Sequence, residues 1–252
     1  MTLQEAIVAR HSVRAYKDKP LSDEVVKVLE DEIVKLNRRS SEYHLISLGN
    51  GRVATEEGET NDEGQLHIQL ICNEPRAFQG TLAKYGKFRN VTSYIVMAGK
   101  KSDDLDERIG YYGEHLVLLA QTLGLNTCWV GLSYKKIPGT YVLDEGEVIK
   151  SYIAIGYGET QGTSHKIKTV ERVSNASETT PSWFKRGVEA ALLAPTAVNQ
   201  QKFSFEYVGM SNNRHQVRAK RGFSMIGYTK MDLGIAKYHF EIGAGDVDFD
   251  WV

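Results

Sequence analysis

Residues Ile109, Tyr112, Leu116, Leu119, Ala120 and Leu123 recur at helical spacing, and Val117 and Leu118 add a second apolar side. A helix that is apolar around most of its circumference must be covered on most sides by other elements. A chain of 252 residues is long enough to supply that cover. Gly124 stands where a left-handed C-terminal stop belongs. Residues 94–99, 128–130 and 148–155 are apolar runs bounded by polar or glycine-rich stretches, the pattern of buried strands. The helix is therefore expected to lie against a sheet.

The rest of the chain supplies further cover. Residues 4–10 suit a short helix. Ser22, followed by Asp23 and Glu24, starts a second helix with Val25, Val28, Leu29, Ile33 and Leu36 on one face. It is expected to end near Asn37-Arg38. Residues 43–48 then suit a strand closed by Gly49-Asn50-Gly51, residues 56–64 an exposed acidic loop, and residues 66–72 a half-buried strand. The same order resumes after Thr179. A helix opens at Pro181-Ser182-Trp183 and stops at Ala194-Pro195; residues 203–208 and 223–226 suit strands, and residues 231–244 a helix. Helix, strand, strand, helix thus occurs twice. The expected class is α+β, with mixed central sheets flanked by helices and an internal pseudo-two-fold duplication that imitates a dimer. Residues 1–172 and 173–252 would be the halves, packed as one compact unit. Ordinary helix–strand alternation is the alternative.

Charge narrows the function classes. A net charge of −1 argues against a general nucleic-acid binder. No apolar run approaches the ~20 residues of a membrane span, and the N-terminal residues lack a signal-peptide core. Cys72 and Cys128 lie far apart in apolar runs, which suits two buried thiols in a reducing, cytoplasmic compartment. None of the seven His pairs with another at i, i+4, so no helical zinc site is expected. Gly156-Tyr157-Gly158 lacks the third glycine of a dinucleotide fingerprint, and nothing suggests a Ser-His-Asp nucleophile turn.

Two stretches carry chemistry. Arg10-His11-Ser12-Val13-Arg14 puts two guanidinium groups, an imidazole and a hydroxyl into five residues, a donor set that fits phosphate or carboxylate. Taken alone, it also fits a solvated basic patch. The second stretch, Ala194-Pro195-Thr196-Ala197-Val198-Asn199-Gln200-Gln201-Lys202-Phe203, ends a helix and leads into a strand. With it go Leu123-Gly124-Leu125-Asn126-Thr127-Cys128-Trp129-Val130-Gly131, Ile153-Ala154-Ile155-Gly156-Tyr157-Gly158 and His165-Lys166-Ile167-Lys168. In this arrangement the stretches resemble the FMN-dependent nitroreductase family over most of the chain.

The resemblance implies a set of roles. Arg10, Lys166 and Lys168 would bind the FMN phosphate. His11 and Ser12 would hydrogen-bond the phosphate, ribityl chain or ring edge, and Arg14 would stand near the pyrimidine carbonyl. Gly131 and Leu132 would offer backbone N–H groups near flavin N5; Trp129 suits the core better than a stacking role against the cofactor. Pro195, Thr196, Ala197 and Asn199 would line the cofactor from the other side. NAD(P)H would be a transient donor, and a nitroaromatic, quinone or enone a small-molecule acceptor in ping-pong turnover, with no catalytic side chain or metal required. A non-catalytic flavin-binding protein is the alternative. In ordinary members the Ala-Pro loop soon follows the N-terminal arm and the site is shared by two subunits. Here residues 35–41 lack the Pro and the matching Asn. The chain is similar to the branch with two fused pseudo-subunits, which implies one FMN per chain and a plausible monomer.

Overall fold

The computed structural model describes residues 1–47 and 65–252. Helix α1, Leu3–Ala9, begins with a capping box: Thr2 Oγ1 accepts from the Glu5 N–H at 3.2 Å, and the Thr2 N–H donates to the Glu5 carboxylate at 2.8 Å. Helix α2, Asp23–Ser47, starts at Ser22, whose Oγ accepts from the Val25 N–H. It does not end at Asn37. Residues 43–47, expected as strand, continue the helix, because no Gly or Pro interrupts the chain before Gly49. Residue 48, the 49–51 cluster and the 56–64 loop lie outside the described residues. Asn37 instead ties α2 to the sheet: its amide donates to the Ile68 carbonyl at 3.0 Å and accepts from the Ile68 N–H at 2.9 Å.

The first sheet has the order β1 (Gln69–Ile71), β2 (Ser93–Lys100), β4 (Glu147–Gly156), β3 (Asn126–Val130), all antiparallel. Ile95 and Ile153 are register partners, as are Cys128 and Ala154. Both faces of β2 are covered. Ile95 and Met97 face the main core, while Tyr94, Val96 and Ala98 face a second one with Phe78 and Tyr152. That double burial explains why β2 is a continuous apolar run rather than an alternating one. Of the two thiols expected to be buried, only Cys128 is; Cys72, just past the edge strand β1, is half-buried. Short helix α3, Thr81–Tyr85, lies before β2.

Helix α4, Leu105–Thr122, is the buried helix expected from its apolar pattern. It packs against α7, Thr229–Ala244, which in turn packs against α6, Ser182–Leu192. A one-turn helix α5, Val170–Val173, precedes α6. The second sheet pairs β5 (Phe203–Ser211) with β6 (Arg214–Arg221) antiparallel, and β6 with β7 (Phe249–Trp251) parallel. The β5–β6 hairpin turns at Asn212-Asn213, both at positive φ. Residues 223–226 are not a strand. The strand is β6, whose pattern is disguised because Val217 is its one fully buried apolar residue. Phe223 and Met225 are exposed on the irregular connection to α7.

Candidate functional site

The arm after α1 is held in place by backbone bonds. The Val13 N–H donates to the Thr127 carbonyl at 3.0 Å, and the Tyr16 N–H to the Arg89 carbonyl at 3.1 Å. Tyr16 Oη donates back to the Val13 carbonyl at 2.7 Å. Residues 12–16 thus run beside β3, the segment before β2 and the segment after β4. Arg10 is buried, with its Nε 3.8 Å from Glu114 Oε1 and without a hydrogen-bond partner. Glu114, on α4, also accepts from Trp129 Nε1 at 2.8 Å and lies 2.8 Å from His239 Nε2 on α7. The other nitrogen of His239 lies 3.1 Å from the Ala190 carbonyl on α6. Burial pulls the Arg10 guanidinium below its ordinary pKa, and Glu114 opposes that shift.

The loop after α6 comes to the same place from the other half of the sequence. Ala194-Pro195 ends the helix, and Ala197–Asn199 forms a 3-10 turn. Val198, Asn199 and Gln201 all have φ between 45° and 56°, a left-handed conformation that side chains adopt at some cost. Hydrogen bonds hold this strained loop. Asp232 on α7 accepts from the Ala197 N–H at 2.9 Å and from Gln200 Nε2 at 2.6 Å. Thr196 Oγ1 accepts from the Gln201 N–H at 3.1 Å. Asn199 Nδ2 and Gln201 Nε2 both donate to the Lys166 carbonyl, at 2.9 and 2.7 Å.

Between arm and loop lie three adjoining cavities, all bordered by Arg14 and Val198. The first, about 140 Å³, reaches Ser12, Gly131, Pro195, Thr196, Ala197 and Asp232. The second, about 250 Å³, is lined by Arg10, His11, Ser12, Thr163, His165 and Asn199 among others, and no acid borders it among the described residues. The third, about 540 Å³, is the mouth, between Tyr85, Phe88 and Leu132 on one side and Val198, Ile226 and Tyr228 on the other. The Tyr228 ring lies on Gly131, where a Cβ would stand 2.6 Å from its Cζ. Gly131 thus lets the Tyr228 ring lie directly on the backbone, and a Cβ there would push the ring aside.

The second cavity has the electrostatics of an anion site. His11 is pushed below its ordinary pKa by burial and by Arg10; His165 by burial, with Arg10 contributing. Both imidazoles are thereby held toward their neutral form beside the permanent cation Arg10, and an anion placed among them would favour their protonation. Of the residues singled out from sequence, Arg10, His11, Ser12, Arg14, Gly131, Leu132, Pro195, Thr196, Ala197 and Asn199 border these cavities. Lys166 and Lys168 do not. The Lys168 ammonium donates to the Gln200 and Gln201 carbonyls, so it braces the loop. Sequence reasoning missed Glu114, Asp232 and His239. A Glu inside an otherwise apolar helix was the available signal for the first.

Asp232 is a buried carboxyl, and burial pushes its pKa up to about 6, against its hydrogen bonds from Ala197 and Gln200. The sign is opposite to that of a paired surface carboxylate. The folded state binds the proton more tightly, so stability is lost as pH rises from about 4 to 6. Replacing Asp232 by Asn removes this dependence. The variant's stability relative to wild type should rise by about 2 kcal/mol between pH 4 and pH 7. Urea unfolding at both pH values measures it; a constant difference would refute the buried charge.

Comparison with known proteins agrees with this architecture. The family model described as "Putative TM nitroreductase" matches residues 2–55 and 50–244. No curated protein sequence matches. Among solved structures, a "putative nitroreductase" of Thermotoga maritima MSB8 is 21% identical and superposes with a TM-score of 0.60, over 95% of this chain and 82% of that one. A "putative nitroreductase" of Desulfovibrio desulfuricans, solved in complex with FMN, is 17% identical with a TM-score of 0.47, over 72% of this chain and 99% of that one. The first likeness establishes a shared nitroreductase-like fold, and the family match spans nearly the whole chain: this protein belongs to the "Putative TM nitroreductase" family.

Proposed function

We propose that the cleft holds FMN and that the chain is an FMN-dependent oxidoreductase of nitroreductase type. It would work ping-pong, from NAD(P)H to a nitroaromatic, quinone or enone acceptor. The observation that carries this reading is the acid-free cavity of Arg10, His11, Ser12 and His165, next to Arg14 and the Gly131 backbone. A phosphate dianion would suit that cavity: it would favour protonation of His11 and His165 and add a second counter-charge beside Glu114 for the buried Arg10, whose Nε has no hydrogen-bond acceptor. Arg14, which borders all three cavities, would stand near the pyrimidine carbonyl and stabilise negative charge on a reduced ring. Gly131 and Leu132 would offer backbone N–H groups, and Pro195, Thr196, Ala197 and Asn199 would close the other wall. Lys166 and Lys168 would add only long-range charge. Bound FMN would accept and pass on the hydride, so no side chain need serve as acid or base.

We read the chain as two fused halves, 1–172 and 173–252, forming one FMN site per monomer in a reducing cytoplasm. Two features support the fusion. The order helix, strand, strand, helix recurs as α2-β1-β2-α4 and α6-β5-β6-α7, apart from the short α3. Gly110 and Gly234, each five residues beyond the first residue of its helix, meet at the α4–α7 crossing.

Flavin titration tests the reading. Wild type should bind one FMN per chain, and Arg10→Ala should bind roughly tenfold to a hundredfold more weakly for the loss of a charge-assisted bond. Arg14→Ala should mainly make the bound flavin harder to reduce. A colourless protein that takes up no FMN, or unchanged affinity in Arg10→Ala, would overturn the proposal. Flavin that binds but is not bleached by NAD(P)H would make the chain a binding protein instead.

A further inference from the structure

The mouth of the cleft is ringed by exposed apolar side chains from four separate segments. Leu82 and Tyr85 come from α3, Leu132 from the turn after β3, Val198 from the loop after α6, and Phe223, Met225 and Ile226 from the connection before α7. Tyr85, Leu132, Val198 and Ile226 border one cavity, so the four segments converge on one face. The exposure is extreme: 87% for Tyr85, 85% for Phe223 and 94% for Met225. Large apolar side chains exposed together at a cavity mouth mark a contact surface.

The charge on the same segments identifies the partner. Residues 75–102, 131–143 and 192–231 contain a single acid, Glu206, which is paired with Arg218 and Lys220, although the whole chain carries 32 acids against 31 Lys and Arg. Within them, Lys84, Lys87, Lys135, Lys136, Lys202 and Arg221 are exposed. A second copy of this chain would bring like charges together. A neutral apolar ligand would leave the cations unused. An anionic bilayer satisfies both features, with headgroups for the lysines and an acyl boundary for Phe223, Met225 and Tyr85. We propose that this face docks on the surface of an anionic lipid membrane, peripherally, with the cleft opening toward the bilayer. Among the described residues no helix is long and apolar enough to cross a membrane, so the attachment would be interfacial. An acceptor dissolved in the lipid would then reach the cleft without passing through water. The docking itself does not depend on which cofactor the cleft holds.

The test is co-sedimentation of the full chain with vesicles of phosphatidylcholine, with and without phosphatidylglycerol. Binding is expected to the anionic vesicles only, and to fall as salt is raised. Phe223→Ser combined with Met225→Ser, and separately Lys84→Glu combined with Lys87→Glu, should each weaken it by at least about tenfold. These side chains are exposed, so an unchanged circular-dichroism spectrum and melting temperature control for folding. A chain that stays in the supernatant with anionic vesicles at low salt overturns the proposal. So does a Phe223→Ser/Met225→Ser variant that binds like wild type, which would leave only a basic patch. Self-association abolished by that variant would assign the face to a second copy. Binding to polyglutamate but not to vesicles would assign it to an acidic protein.

Discussion

Replacing Glu114 by Ala is expected to destabilise the fold by about 3–5 kcal/mol, the usual effect of removing one partner from a buried ionic group. The carboxylate is fully buried between elements distant in sequence: Arg10 after α1, Trp129 on β3 and His239 on α7. Without it the Trp129 indole loses its acceptor, and among the described residues the buried Arg10 guanidinium keeps no counter-charge within 4 Å. Glu114→Gln should fall between wild type and Ala, since an amide oxygen can still accept from Trp129 but carries no charge. Urea unfolding with the slope unchanged reads the loss. FMN should narrow the gap between Glu114→Ala and wild type, because its phosphate would offset part of the unpaired charge. An Ala variant as stable as wild type would show that Glu114 does not hold Arg10.

What could be read in the sequence follows from how local the governing physics is. The apolar run of α4 and the continuous strand β2 announced their burial. Ser22 announced a helix start, and Ala194-Pro195 a helix stop. The end of α2 was not legible, because Asn37 resembles a cap while its amide is occupied by the Ile68 backbone, which lies beyond the helix. β6 was hidden because its alternating polar residues leave little apolar signal, and the apolar residues 223–226 drew the strand to the wrong place. In the site, the 10–14 arm and the 195–199 loop were recognisable as motifs, and they border common cavities. Their supports were not legible. Asp232 meets Ala197 across 35 residues, and His239 meets Glu114 across 125. Neither pairing leaves a local mark.

The crossing of α4 and α7 bears on the width of the cleft, because Tyr228, which precedes α7, and Asp232 in its first turn line one wall. Its closeness depends on two glycines. A Cβ on Gly234 would stand 2.8 Å from both the Glu107 carbonyl carbon and the Tyr111 nitrogen, and closer still to the Glu107 oxygen. A Cβ on Gly110 would stand 2.9 Å from the Met231 carbonyl carbon and likewise press on its oxygen. These obstacles are backbone inside regular helices, so no side-chain rotation relieves them, and the helices must part. Gly234→Ala is therefore expected to cost more than about 3 kcal/mol, beyond usual overpacking and despite the ~1 kcal/mol that alanine gains in helix propensity. Gly110→Ala should do the same. Once the first Cβ has parted the helices, the second meets less resistance, so the double variant should lose clearly less than the sum of the singles. Flavin affinity should fall in both single variants, because the displaced α7 carries Asp232 away from the loop it braces. Full additivity, or alanine variants that match wild type in stability, would mean that the helices do not meet through these glycines.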